Sequence, residues 1–91
     1  MLRPTAIEVS ALNDYKILIK FDNEEKKIFD VSKLFSRKPF ISLKDKSIFN
    51  TAHTNGITIE WVNDIDICPD ELYYESVPYF SSFKNIDLLI I

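Results

Sequence analysis

The densest group of side chains with metal-binding chemistry consists of four carboxylates within eight positions: Asp64, Asp66, Asp70 and Glu71. Closely spaced carboxylates suit Ca²⁺ and Mg²⁺, but the spacing lacks the ligand series and the terminal bidentate Glu of an EF-hand loop. Each carboxylate also has a structural interpretation. Asp64 would lie in a turn, Asp70 and Glu71 in the first turn of a helix, and Asp66 would accept hydrogen bonds from the backbone or from the Trp61 indole. We therefore predict no metal site.

The single histidine and the single cysteine are the other side chains with catalytic chemistry. His53 has no nucleophile or further ligand at a spacing that predicts a catalytic triad or a zinc site, so we expect a surface imidazole. Cys68 precedes a predicted helix, where the pKa of a thiol falls, although a free cysteine is more commonly a small buried apolar residue. Gly56 is the only glycine, which excludes a glycine-rich phosphate loop. We predict no enzyme and no cofactor.

A short basic segment surrounds Phe40 and contains Arg37, Lys38, Lys44 and Lys46. Such a segment could contact an acidic partner or a nucleic-acid backbone, although a solvated loop of this composition needs no partner. The net charge of −3 argues against nucleic-acid binding by the chain on its own and gives no basic attraction to a membrane. Small-molecule or nucleic-acid binding through residues 37–46 remains the alternative function.

The scaffold that positions these residues is one domain over residues 1–91, because the chain is too short for two cores. Its hydrophobic content of 46% is enough to fill one core. A single cysteine excludes an intrachain disulfide and is consistent with a reducing compartment. The start of the chain has no signal-peptide pattern and its apolar end is too short to span a bilayer, so we expect a cytoplasmic protein.

Alternating apolar residues predict two antiparallel strands at the start of the chain, and a third strand that returns along the second completes a meander. These positions are Ile7, Val9 and Ala11 in the first strand and Tyr15, Ile17, Ile19 and Phe21 in the second. The third strand covers Lys26–Asp30, and a short helical turn over Val31–Phe35 follows it. Leu18 interrupts the alternation, so we expect it to pack under a later element.

Asparagine and aspartate must make most of the turns, because they tolerate left-handed backbone and the chain has one glycine. The predicted turns are Asn13-Asp14, Asp22-Asn23, Asn55-Gly56 and Asn63-Asp64.

The second half of the chain predicts two more strands and two more helices. A helix begins near Ser47, with Asp45 or Ser47 as its cap. Strands follow over Ile57–Trp61 and Ile65–Ile67, and a helix runs from Pro69 to about Ser76. The predicted fold class is α+β: a small antiparallel sheet, made from the N-terminal meander plus later strands, with two or three short helices packed on one face.

The chain resembles the bacterial domain of unknown function 2442 over about residues 5–75. Its most specific signature is the spacing of Trp61, Asp66, Pro69, Leu72 and Tyr73. Members of that family usually have Gly where this chain has Glu24 and Asp64, both at turns. The resemblance implies a small module that is often encoded beside a second small protein, an arrangement that has suggested antitoxin roles. It implies no catalytic residues.

The segment after this family-like core forms an aromatic and apolar extension over residues 76–91. Together with the end of the core it contains the candidate partner-binding residues Tyr73, Tyr74, Tyr79, Phe80 and Phe83. These rings either cover the sheet of their own chain or form an interface with a partner. We expect a non-enzymatic protein-interaction module, an antitoxin-like partner of a small neighbouring protein or a homodimer, acting through this aromatic region and an exposed sheet edge.

Overall fold

A computed structural model describes residues 3–79 as two antiparallel sheets with short helices between them. The strands are β1 (Ala6–Ala11), β2 (Lys16–Phe21), β3 (Lys26–Asp30), β4 (His53–Thr54), β5 (Ile59–Trp61), β6 (Ile65–Asp66) and β7 (Val77–Pro78). The α-helices are α1 (Lys46–Phe49) and α2 (Pro69–Glu75), and 3-10 turns cover Asn13–Tyr15, Val31–Leu34 and Phe40–Lys44. Two of the candidate residues, Phe80 and Phe83, lie outside the described residues. The predicted α+β class with antiparallel strands is confirmed.

The predicted meander forms three strands of a four-stranded sheet with the order β1-β2-β3-β7. Its inner face supplies much of the core, because Ile17, Ile19 and Phe21 of β2 are buried and Phe29 of β3 pairs with Ile17. The strand β7 was not predicted. It belongs to the segment that we expected to extend beyond the family-like core.

The first strand contains an irregularity that the alternation rule missed. Ala6 pairs with Phe21 and Glu8 pairs with Lys20, so the register shifts at Ile7 between them. An extra residue in one strand is a β-bulge, and it changes which residues face the core. Ala6 is therefore buried while Ile7 is 46% exposed, and the prediction that Ile7 shares a face with Val9 is wrong.

Tyr15 lies in the turn between β1 and β2, so the prediction that it belongs to β2 is wrong. Asp14 and Tyr15 both adopt left-handed backbone, with φ angles of 61° and 59°. The Tyr15 hydroxyl donates to the backbone oxygen of Lys44 at 2.5 Å. Its ring makes edge-on contacts with Phe35 and Phe49. These contacts hold the ring over the core even though a tyrosine at positive φ is uncommon.

Two aspartates cap the short helical segments after β3. Asp30 accepts the backbone N–H of Ser32, and Asp45 accepts the backbone N–H of Ser47. Of the two caps predicted for the helix near Ser47, Asp45 is therefore the one that forms. The segments bury Val31, Leu34, Phe40, Leu43 and Phe49 against the sheet.

The strands β4, β5 and β6 form a second sheet, and β5 begins later than predicted. The side chain of Asn55 accepts the backbone N–H groups of Ile57 and Thr58, each at 2.9 Å. This turn leaves Ile57 61% exposed and buries Thr58, so Ile57 is not part of the alternation. Trp61 is fully buried in the core.

The last helix has the predicted limits within one residue. Pro69 occupies its first turn and Leu72 is buried against the core. After α2 ends at Glu75, the chain turns and β7 pairs with β3. None of the helices formed by residues 3–79 has the length and hydropathy of a membrane span.

Candidate functional site

The four carboxylates that suggested a metal site are dispersed. Asp70 forms an ion pair with Arg3 at 3.1 Å, and Glu71 forms one with Arg37 at 2.6 Å. Asp64 lies in the turn before β6 with a φ of 60°, while Asp66 belongs to β6 itself. Across residues 3–79 no three acidic, histidine or cysteine side chains are placed to hold a metal ion. The two helix-start carboxylates bind arginines from the first half of the chain.

His53 and Cys68 occupy separate exposed positions. The Nδ1 atom of His53 lies 2.8 Å from the backbone oxygen of Thr51, and its Nε2 atom lies 4.0 Å from Glu60 Oε1. Cys68 is a free thiol directly before α2. It is exposed, so the expectation of a buried apolar cysteine is wrong. The described residues bring neither side chain together with a partner for nucleophilic catalysis.

Most of the basic segment is engaged with aromatic rings of its own chain. Lys44 Nζ lies 5.9 Å from the centroid of Phe35, and Lys46 Nζ lies 5.5 Å from that of Tyr15. Arg37 reaches over Phe40 as well as pairing with Glu71. These cations cover the edge of the core, which accounts for their position without a nucleic acid.

Tyr73 fastens α2 to the four-stranded sheet. Its ring packs edge-on against Phe21 with a centroid distance of 5.0 Å, and its hydroxyl donates to Glu25. Lys27 Nζ lies 3.8 Å from the ring centroid and donates to the Tyr73 backbone oxygen at 2.9 Å. This candidate partner-binding residue is thus occupied within its own chain.

The hydrogen bonds around Glu25 shift two pKa values. The Tyr73 hydroxyl and then the Asn23 side chain lower the pKa of the Glu25 carboxyl, because both donate to its charged form. The same carboxylate raises the pKa of the Tyr73 hydroxyl. Sequence reasoning missed this contact, because Glu25 and Tyr73 are far apart in the chain and nothing in the spacing joins them.

The signature residues at 61, 66, 69 and 72 are mainly structural. Trp61 and Leu72 are buried, and Pro69 begins α2. The Trp61 indole N–H donates to the backbone oxygen of Phe49 at 3.1 Å, so the hypothesis that it donates to Asp66 is wrong. Asp66 is exposed and pairs across the second sheet with Glu60.

The exposed apolar residues near the end of the described chain form what we call the α2–β7 corner, defined by Tyr74, Val77 and Tyr79. Tyr74 is 65% exposed at the end of α2, and Val77 is 57% exposed in β7. Tyr79 is half-buried and follows β7. Contiguous exposed apolar surface marks interaction sites, so these two side chains make the corner a candidate interface.

The free edge of β7 offers few hydrogen bonds to a partner. The N–H of Tyr79 donates to the Lys26 oxygen at 2.8 Å, so it points toward β3. Neighbouring residues of a strand point their N–H groups in opposite directions, which gives Pro78 the outward position. Proline has no N–H, and such residues protect sheet edges from strand addition. Contact at this edge therefore depends on side chains.

A shallow groove of about 230 Å³ lies on the outer face of the four-stranded sheet. Its lining residues are Glu8, Val9, Ser10, Leu18, Lys20 and Lys26. Small-molecule sites usually enclose about 300–1,000 Å³ and bury most of the ligand. This groove is too open and too small for that purpose.

Two small antiparallel sheets, joined by single-turn helices and closed by a short helix with an exposed aromatic corner, define the chain as a small α+β module. The chain belongs to the family described as Protein of unknown function (DUF2442), whose model matches residues 6–78. That match includes β7, which therefore lies within the family domain. Comparisons with curated proteins and with solved structures gave no significant match.

Proposed function

We propose that this protein is a non-enzymatic, cytoplasmic protein-interaction module that binds another small protein through the α2–β7 corner. The observation that carries the proposal is the exposure of Tyr74, a large aromatic side chain that is 65% accessible at the end of α2. Aromatic side chains dominate the binding energy of protein interfaces, because they bury much area at a low cost in conformational entropy.

The neighbouring residues support a side-chain interface. Val77 adds an exposed apolar surface, whereas Pro78 removes the donor that an added strand would need. Tyr73 anchors the helix that presents Tyr74, since its hydroxyl and ring are held by Glu25 and Phe21. A rigid support of this kind lowers the entropic cost of ordering the corner on binding.

The partner that we propose is a small protein encoded beside this one, with the module acting as its antitoxin-like binding partner. Self-association through the same corner is the other form of this function. The two possibilities predict different masses for the isolated protein: a single chain if the partner is another protein, and a dimer if the chain self-associates. Light scattering measures this mass directly.

Co-expression with the product of the adjacent gene tests this function. Size-exclusion chromatography with light scattering should give one joint peak, and Tyr74→Ser should divide that peak into two. Ile57→Ser is the matched control, because Ile57 is 61% exposed in the turn before β5 and should leave the joint peak intact. Separate elution of the two wild-type proteins, with this chain monomeric when alone, would contradict the proposal.

A further inference from the structure

The α2–β7 corner is too small to be a whole protein interface. A stable interface buries about 800 Å² on each partner and involves about 20–30 residues a side. Tyr74, Val77 and Tyr79 together expose less than this area, because even a large aromatic side chain buries only about 150–250 Å². A partner that binds stably at the corner therefore also contacts an adjoining surface.

The outer face of the four-stranded sheet adjoins the corner through an apolar row. Leu18 of β2 pairs with Ile28 of β3, and Ile28 pairs with Val77 of β7. The residues on either side of Leu18 are buried in the core, so Leu18 and its cross-strand partners face away from the core. An antiparallel sheet with one face on the core normally presents polar residues on the other face. This row departs from that pattern, and it leads directly from the corner.

A charged row runs beside the apolar one and also ends at the corner. The backbone of Lys26 is hydrogen-bonded to Tyr79, Lys26 pairs with Lys20, and Lys20 pairs with Glu8 of β1. Like charges directly opposite each other on a sheet are destabilising. Glu8 balances only one of the two ammonium charges, and neither lysine forms an ion pair within residues 3–79. A carboxylate from a partner would therefore be stabilised here.

The groove of about 230 Å³ described above lies between the two rows, since its lining includes Leu18, Lys20 and Lys26. An open groove of this size can receive a protruding side chain of another protein, although it cannot enclose a small molecule. Because Pro78 leaves the edge of β7 without an outward N–H, a partner would lie on the face instead of adding a strand.

We infer that the protein partner bound at the α2–β7 corner also covers this outer face, with apolar side chains over Leu18 and Ile28 and a carboxylate beside Lys20 and Lys26. The inference rests on the proposed function and deepens it, because it states the chemistry of the partner: a protein surface that combines apolar residues with at least one Asp or Glu. Three observations carry it: the continuity of both rows with the corner, the area that a stable interface needs, and the uncompensated lysine charge.

Titration calorimetry with the product of the adjacent gene tests the apolar half of the inference. Leu18→Thr with Ile28→Thr removes the apolar row and keeps residues that favour strands, so it should raise the dissociation constant about tenfold. Ile57→Thr with Val62→Thr is the matched control, because both residues are exposed outside this sheet, and it should change the constant by less than about twofold. The melting temperature of each variant shows that it is folded.

Lys26→Glu tests the charged half and keeps the apolar row. It should raise the dissociation constant about tenfold at low ionic strength, and this loss should shrink as salt is added, because salt screens an exposed charge pair. Lys38→Glu is the matched control. It makes the same change in net charge at an exposed lysine between the 3-10 turns that pack on the inner side of the sheet, and it should change the constant by less than about twofold.

The outcomes separate this inference from the proposed function. If Tyr74→Ser weakens binding but either the double threonine variant or Lys26→Glu does not, the inference is overturned and the proposed function stands. If the wild-type protein does not bind, both are overturned. A dimer of the isolated chain that the double threonine variant dissociates would assign the face to a second copy and would also overturn the inference.

Discussion

Tyr73 and Tyr74 are adjacent in the sequence and have opposite roles. The Tyr73 ring lies between Phe21 and the Lys27 ammonium, and its hydroxyl binds Glu25. Tyr74 shares a ring contact with Tyr73 but is mostly exposed. The sequence analysis predicted both rings as part of one interface, because residue type alone does not distinguish two adjacent tyrosines on a helix. The difference arises in the folded structure, where the turn between β2 and β3 brings Glu25 to the hydroxyl of Tyr73.

Tyr73→Phe should remove the part of the acid dependence of stability that comes from Glu25. The hydrogen bond lowers the folded-state pKa of Glu25 below its ordinary value of 4.5. Its stabilisation is therefore fully present above that value and is lost as the pH falls through the lowered pKa. Melting temperatures measured from pH 7 to pH 3 should show wild type above Tyr73→Phe at neutral pH, with the difference closing in acid.

Tyr74→Phe is the control for this measurement, because the Tyr74 side chain is mostly exposed and should leave the pH profile unchanged. A constant difference between wild type and Tyr73→Phe across the whole range would contradict the assigned contact. At the alkaline end, the raised pKa of Tyr73 means that its stabilisation persists up to its ordinary value of 10.0 and is lost above it.

Glu24→Gly should stabilise the protein. Glu24 adopts left-handed backbone with a φ of 72°, where a Cβ atom costs about 1 kcal/mol and glycine costs little. After allowing for the greater freedom of glycine in the unfolded chain, we expect a gain of roughly 0.5 kcal/mol in the free energy of unfolding, measured by urea denaturation.

Two substitutions test the backbone explanation for Glu24. Glu24→Ala keeps the Cβ atom and should give no gain. Asp64→Gly removes the Cβ at a φ of 60° and should give a smaller gain, because aspartate tolerates this region better than glutamate. An equal gain from alanine and glycine at position 24 would assign the effect to the side chain.

At the scale of elements, the sequence predicted the strands and the last helix well wherever a local signal governed them. The third strand and α2 have their expected limits because the turn before the strand and the proline at the helix start are local signals. The errors at Ile7, Tyr15 and Ile57 have non-local or side-chain causes. A bulge, an aromatic cluster and the Asn55 side chain each changed where a strand begins or which way a residue faces.

Trp61 joins the second sheet to α1 and should be the most sensitive core position of that half. Trp61→Phe removes buried volume and leaves the backbone oxygen of Phe49 without its indole donor. We expect a loss of about 2–3 kcal/mol in the free energy of unfolding. Val62→Ala, at the neighbouring exposed position, should change it by less than about 0.5 kcal/mol. Similar effects of the two substitutions would contradict the assigned packing.

At the scale of the whole molecule, most of the charged and aromatic side chains that suggested chemistry have structural roles within the described residues. The acidic residues at the start of α2 bind arginines, the basic segment covers aromatic rings, and the signature tryptophan fills the core. The two ion pairs could not be predicted from spacing, because Arg3–Asp70 and Arg37–Glu71 each join residues from distant parts of the chain. Among the large apolar side chains that stay exposed in the described residues, Tyr74 and Val77 lie at the α2–β7 corner beside a protected sheet edge, and the binding function that we propose rests on them.

The most direct test of this account is the dissociation constant for the product of the adjacent gene, measured by titration calorimetry with two matched variants. We predict that Tyr74→Ser weakens binding by at least about tenfold, whereas Ile57→Ser changes it by less than about twofold. Equal dissociation constants for the two variants, or the absence of binding by the wild-type protein, would contradict the central claim.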